Sequence, residues 1–483
     1  MKKNEETSAL ISGIGWSFAQ RFLPQLVTLL VSIVLARILS PEHYGVISIV
    51  SVFIALGDAL ATGGFGNALV QKKDTDNLDF NSICWVSLFI SMVIYTVLYI
   101  SAAMMAKIYG LEILIPVIRI FGISVIFSTF NSVQMAYVQK KMMFREAFLS
   151  TIGGVLVSAV IGITMAVAGC GIWALVAQQL SNTIIKTVSL FLLLDWRPAF
   201  EVSWERVKRL WDYGAKVLGA TLIYTLRDNL RTLLVGKQFS SSELAYYNQG
   251  QKYPALLVTD IVTSMGTVLF PTMSKNQMAT EKVKDLMRTA IRISSYILLP
   301  VMAGLFAVGD TFVKVILTDK WLPCVPFLRI MCLFYATRSV STIYQTAVLS
   351  IGKSNLNLIH EAMNSVLTII VLTVSVFVFK SITVMAFSQV GVMVIGVSLY
   401  AIWVRECFNY NVTEMLADFF PPAIMSCIMA LAVLAVGRTP MQGYVCLIVQ
   451  MLTGVTVYIV LSIVSKDSSY RWIKSYIARK MQK

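Results

Sequence analysis

The sequence predicts an all-α, polytopic membrane protein, and three observations carry that prediction. First, 57% of the 483 residues are hydrophobic and only 13% are charged, whereas soluble domains carry about 25% charged residues. Water-facing surface needs charge that this chain does not have. Second, the apolar runs are continuous over about 20 residues, the length of a helix that crosses a bilayer, and do not alternate over about ten as barrel strands do. Third, basic residues crowd into every other segment between runs, as the positive-inside rule requires.

Spans are expected near 10–38, 45–69, 80–106, 113–137, 148–168, 171–194, 213–236, 253–272, 288–308, 325–350, 356–379, 381–404, 421–437 and 443–465, about fourteen in all at roughly 20 residues each. An even number puts both termini on one side. The basic segments include Lys72 and Lys73, Lys140, Lys141 and Arg145, the stretch Arg197 to Lys216, the stretch Lys275 to Arg292, and a tail from Lys466 to Lys483. The intervening loops hold scattered single cations such as Lys107, Lys237 and Lys320. The basic side is therefore expected to be cytoplasmic, with both ends of the chain.

The net charge of +15 belongs to those loops facing anionic lipid and does not indicate nucleic acid. Seven cysteines sit mostly in apolar runs without a paired spacing, as small packing residues do. The two histidines, His43 and His360, join no carboxylate or cysteine group, so no metal site and no catalytic triad is expected. There is no P-loop and no glycine-rich dinucleotide turn. No extracytoplasmic segment is long enough to fold alone. The chain is expected not to be an enzyme, and to need no cofactor beyond a sodium or proton gradient.

Between spans six and seven, residues 195–212 place Trp204, Val207, Leu210 and Trp211 at helical spacing opposite Arg206 and Arg209, an amphipathic helix suited to a membrane surface. It separates an N-terminal part, 1–194, from 213–404; residues 405–483 add two spans and a basic tail. A weak echo crosses the divide. Leu39-Ser40-Pro41-Glu42-His43-Tyr44-Gly45 joins spans one and two, and Phe239-Ser240-Ser241-Ser242-Glu243 joins seven and eight. Each has serine at an N-cap followed by an acid. Two six-helix repeats are a common transporter plan.

Further motifs accompany the echo: Gly63-Gly64-Phe65-Gly66-Asn67, Gly171-Ile172-Trp173-Ala174-Leu175, Trp196-Arg197-Pro198, Arg227-Asp228-Asn229-Leu230-Arg231 and Val268-Leu269-Phe270-Pro271. In this order and spacing the chain resembles bacterial polysaccharide transporters, the O-antigen, exopolysaccharide and teichuronic-acid flippases of the multidrug/oligosaccharidyl-lipid/polysaccharide superfamily. The resemblance is carried by residues 10–280 and continues beyond them mainly as span pattern. It implies two six-helix lobes around a central cavity, two extra C-terminal helices, and translocation of undecaprenyl-diphosphate-linked oligosaccharide across the cytoplasmic membrane by alternating access. The implied partners are that lipid-linked glycan, membrane lipids and a polysaccharide polymerase complex.

Ionisable residues within spans cost about 2.5–3.5 kcal/mol at mid-bilayer on insertion scales and so mark sites or helix contacts. Arg227 and Arg231 are one turn apart on one helix face, with Asp228 beside them. Two guanidiniums so placed can grip a diphosphate in bidentate fashion, and Asp228 can orient one of them. Arg21 and Gln25 occupy the matching region of the first span. Arg119 and Gln134 give the fourth span a polar face, and Asp58 and Asp260 mark the second and eighth. Helix–helix hydrogen bonding competes with substrate contact at each of these positions. Two other functions are open on the sequence: an ion-coupled drug antiporter of the same superfamily, and a membrane scaffold that transports nothing. The first calls for an acidic cavity, against which the cations argue.

Overall fold

The computed structural model describes residues 23–441, 443–465 and 469–471. It is helical throughout, with no strand among the described residues. Seventeen α-helices follow one another through short turns: α1 (Leu23–Ile38), α2 (Pro41–Thr62), α3 (Phe65–Gln71), α4 (Asn77–Tyr109), α5 (Leu114–Phe121), α6 (Ser124–Lys141), α7 (Phe144–Val167), α8 (Ile172–Leu193), α9 (Trp204–Gln238), α10 (Ser241–Lys275), α11 (Thr280–Ile316), α12 (Val325–Ala336), α13 (Arg338–Ser350), α14 (Ser354–Thr373), α15 (Ile382–Phe408), α16 (Val412–Gly437) and α17 (Gly443–Val464). Within the described residues each expected span falls on one of these helices or on a consecutive pair, while residues 10–22 of the first expected span lie outside them. Among the described residues, ten helical stretches are long and apolar enough to cross a membrane. The remaining four expected spans are α1, α8, α9 and the α12–α13 pair, and α8, α9 and α12–α13 carry Lys186, the Arg227–Arg231 cluster, and Arg329 with Arg338.

The chain forms two compact units, residues 1–245 and 246–483. In the first, α9 packs on α2, α3 and α4. Its amphipathic start and the seventh span are one unbroken helix of 35 residues, where the sequence suggested a surface helix separate from the span. The turn Gly63–Gly64 makes this docking possible. Both glycines have left-handed backbone, φ +57 and +70, and a Cβ on Gly64 would lie 2.6 Å from the Gly214 carbonyl oxygen and 2.8 Å from Val217 Cβ. Only glycine accepts both the torsion and the close approach.

Helices α7 and α8 form an intimate pair for a different reason. Gly154, Ser158 and Gly162 make a stripe of small residues at four-residue spacing, the pattern that lets membrane helices approach. A Cβ on Gly162 would meet Gln178 Cβ at 2.6 Å, and one on Gly154 would meet Asn182 Oδ1 at 2.9 Å.

The segment between α8 and α9 is stapled to the start of α4. Trp196 Nε1 donates to Asn81 Oδ1 at 3.2 Å, Trp85 Nε1 donates to the Ala199 carbonyl at 2.8 Å, and Phe200 stacks on Trp85 with ring centroids 4.1 Å apart. Arg206 pairs with Asp76 and, at 3.2 Å, with Asp79; Asp79 is sealed from solvent and also binds Lys72 at 2.5 Å. The two echoed turns differ in detail. Ser240 and Glu243 cap each other reciprocally, with bonds of 3.2 and 3.0 Å. Ser40 bonds to His43 Nδ1 at 3.2 Å instead, because the acid of that turn, Glu42, stands one residue too early for a capping box.

In the second unit, α11 packs along α16 and α17. Asp418 of α16, with no exposed surface, accepts from Arg288 Nε (2.9 Å) and Nη2 (3.2 Å), from Arg292 Nε (2.6 Å) and from the Tyr410 hydroxyl (3.0 Å). Glu414, one turn earlier, binds Lys284 at 3.1 Å and Arg288 at 3.4 Å. Arg329 is held by Asp310 at 2.6 Å.

Candidate substrate site

The structure brings Arg227, Asp228 and Arg231 together on the middle of α9, in the first unit. The four-residue separation of the two arginines is one helical turn, so their stems leave the helix on the same side. Both are half-buried, and the Arg227 guanidinium lies 5.8 Å from the centroid of the Tyr224 ring. Asp228 is exposed and forms no ion pair among the described residues. A helix of membrane length thus carries two guanidiniums on one face, with a carboxylate next to them in the chain. Chemically, this arrangement offers planar, paired donors to an anion with several oxygens.

The other predicted residues are elsewhere in the first unit. Arg119, on α5, sits over the Tyr99 ring of α4 at 4.3 Å, with Nε 3.5 Å from the Tyr99 carbonyl oxygen. Gln134, buried on α6, donates to the Thr187 carbonyl of α8 at 3.2 Å, and its own carbonyl oxygen has no hydrogen-bond partner among the described residues. Neither set of bonds involves α9. Gln25 is half-buried on α1. Arg21 lies outside the described residues.

Two features of the first unit were not anticipated as they stand. Lys186 is the sole charged residue of α8, half-buried in the middle of an expected span. Its sequence signal was plain, a lone cation in an apolar run, but it has no patterned neighbour to draw attention. Asp58, noted in the sequence only as a polar mark on the second span, accepts a hydrogen bond from Ser128 of α6. One turn from that pair, Thr62 and Ser132 line a polar cleft of about 200 Å³ with Gly64, Gly66, Asn67, Gln139 and Thr221.

The fold has known counterparts. Over 94% of this chain and 99% of the other, it superposes on the lipid II flippase MurJ with a TM-score of 0.74 at 15% identity. It superposes on a multidrug resistance transporter of the MATE family with a TM-score of 0.64, covering 82% of this chain and 98% of that one at 12% identity. At such identities the likeness establishes the fold. In sequence, the lipopolysaccharide biosynthesis protein WzxC of Escherichia coli strain K12 is 25% identical over 340 residues, 68% of each chain. The succinoglycan biosynthesis transport protein ExoT of Rhizobium meliloti strain 1021 is 21% identical over 66% of this chain and 65% of its own length. The teichuronic acid biosynthesis protein TuaB of Bacillus subtilis strain 168 is 24% identical over 61% of both. Residues 34–326 match the family described as polysaccharide biosynthesis protein, and that stretch, more than half of the chain and spanning α2 through α11, places it in that family.

Proposed function

We propose that this protein is a flippase that moves undecaprenyl-diphosphate-linked oligosaccharide across the bacterial cytoplasmic membrane, for assembly of a surface polysaccharide. The observation that carries the reading is the pair of guanidiniums on one face of α9. An anionic headgroup leaving water for the membrane interior loses solvation, and fixed cations must replace it. The paired Arg227 and Arg231 match the oxygens of a diphosphate, and the family membership supplies the glycan. Alternating access is the mechanism that fits: substrate binding need only favour one of two arrangements of residues 1–194 and 213–404. The crowding of basic residues into alternate segments supports a topology with both termini in the cytoplasm. The polyprenyl tail stays in lipid, and the translocated glycan is handed to a polysaccharide polymerase complex.

The test is to replace Arg227 or Arg231 with alanine in a strain that depends on this protein for polymer export. Each charge-assisted hydrogen bond is worth about 1.5–3 kcal/mol, so either change should slow export by roughly tenfold to a hundredfold. The lipid-linked intermediate should accumulate on the inner leaflet at unchanged protein abundance. Lysine should restore activity only in part, because it lacks the planar fork. Full export by the double alanine variant would leave the scaffold reading in its place.

A further inference from the structure

We infer that the polar cleft between α2, α3, α6 and α9 of the first unit is a sugar subsite, which holds one uncharged sugar residue of the lipid-linked glycan before translocation. The inference rests on the flippase reading above and adds to it the groups that read the glycan. Four side chains carry it. Asn67 of α3, Ser132 and Gln139 of α6 and Thr221 of α9 line the cleft, and none of these side chains has a hydrogen-bond partner among the described residues. Neighbouring hydroxyls are already engaged: Ser128 and Thr129 donate to the Val125 carbonyl at 3.2 and 2.7 Å, and Thr62 donates to the Asp58 carbonyl at 2.9 Å. In the cleft two hydroxyls and two amides are left for a ligand.

Their arrangement suits a sugar. Ser132, Met135, Ala136 and Gln139 recur at i, i+3, i+4 and i+7, so they share one face of α6. That face carries polar groups at both ends and an apolar strip between them. A pyranose ring has hydroxyls around its rim and C–H groups on its faces, the same alternation. Each amide offers an acceptor and two donors and can bond two neighbouring hydroxyls at once. No charged side chain lines the cleft, so it offers nothing to offset the charge of a phosphate leaving water. Size narrows the ligand further. The cleft holds about 200 Å³, below the roughly 300–1,000 Å³ of sites for drug-sized ligands. It has room for one sugar residue and not for a whole oligosaccharide.

The walls are held in place by contacts of their own. The Gly64–Gly214 approach and the Phe65 ring against Trp211, 5.8 Å between centroids, tie α3 to α9. Lys140 Nζ donates to the Val70 carbonyl at 3.4 Å and ties the end of α6 to α3. A cleft built this way needs little ordering when a ligand enters.

The cleft also lies in line with the guanidinium pair. Thr221, Tyr224, Asp228 and Arg231 stand at i, i+3, i+7 and i+10, along one side of α9. Ten residues separate Thr221 from Arg231, about 15 Å along the helix axis. Between them the Tyr224 ring, 60% exposed, offers an aromatic surface to the face of a sugar. A diphosphate held at Arg227 and Arg231 leaves its glycan free to run along this side of α9 to the cleft. The cleft stands at the helix ends that lead to Lys72, Lys73, Lys140 and Lys141, the side on which the glycan would be loaded.

The experiment compares two probes on the full-length protein in lipid nanodiscs. One is undecaprenyl diphosphate; the other is the lipid-linked oligosaccharide extracted from cells that lack this protein. Wild type should bind the glycosylated lipid more tightly, and the quantity to follow is the ratio of the two affinities. Asn67→Ala combined with Gln139→Ala should cut that ratio by about tenfold or more, and Thr221→Val by about two- to tenfold, as expected for lost neutral hydrogen bonds. Asn67, Gln139 and Thr221 are exposed, so melting temperatures should match wild type. Arg227→Ala and Arg231→Ala should lower both affinities together and leave the ratio as it is. Equal wild-type affinity for the two lipids, or an unchanged ratio in the double variant or in Thr221→Val, overturns the proposal. If the arginine variants bind both lipids as wild type does, the reading of the guanidinium pair fails, and a ratio that still falls in the cleft variants leaves the sugar subsite standing.

Discussion

Asp418 and Asp58 are both carboxylates on apolar helices of membrane length, and their surroundings could hardly differ more. Asp418 is enclosed by two guanidiniums and a phenol, so every oxygen is bonded and the negative charge is more than matched. Asp58 has a single hydroxyl. The first arrangement fixes α16 to α11, since it has no second state of comparable energy. The second leaves a carboxylate inside an apolar helix with one hydrogen bond to offset its lost solvation. Sequence alone presents both as an acid inside an apolar run. Their roles are decided by what packs against them.

That contrast can be broken most directly at Asp418. Replacing it with asparagine leaves Arg288 and Arg292 facing a neutral group, and removing one partner of a buried pair costs about 3–5 kcal/mol. Asp418→Asn should therefore lower membrane abundance and the melting temperature of the purified protein sharply. If abundance and melting temperature match wild type, the cluster does not hold α16 in place. Asp58→Asn sharpens the comparison from the other side. Its amide can accept from Ser128 as the carboxylate does, so the expected loss of stability is within about 1 kcal/mol, that of an exchanged neutral hydrogen bond. A thermal-shift measurement that finds Asp58→Asn as damaging as Asp418→Asn would make Asp58 a structural residue.

The membrane-crossing architecture was legible because bilayer thickness writes itself into run length, and the basic alternation kept the runs in phase. The spacing of Arg227 and Arg231 was legible too, since a single helix fixes which residues share a face. Bonds between helices were not. Asp58 and Ser128 are 70 residues apart, and Arg288 and Asp418 are 130 apart; no local pattern couples them. The helix break between Ala336 and Arg338, inside the tenth expected span, left no proline or glycine as a signal. Likewise the amphipathic pattern of Trp204 to Trp211 showed a helix, yet could not show that it runs on into α9. Lys186 is a lone cation in an apolar run and belongs to no motif, so the sequence pattern gives it no partner.

The smallest effect is expected at Asp76, where a carboxylate is countered by a guanidinium but stands mostly in solvent. The hydrogen bond from Arg206 is the main cause that holds its pKa down at about 2, from an ordinary 3.8. A depressed carboxylate contributes stability that is fully present above its unfolded pKa and is lost as pH falls through its folded one. The window here runs from about 4 down to about 2. The Asp76 side chain is 54% exposed, so screening leaves the pair worth little, as for most surface ion pairs. Asp76 also caps α4 by accepting from the Asp79 backbone N–H at 3.0 Å, and asparagine preserves that cap. Asp76→Asn therefore isolates the charge. Its melting temperature should fall slightly below that of wild type at neutral pH, by an amount that stays nearly constant down to about pH 4, shrinks toward pH 2 and vanishes below it, where the wild-type carboxyl becomes neutral as well. A difference that persists at the acid end would mean that the pairing with Arg206 is incidental, and that what Asp76 contributes is the shape of the turn that seats α9.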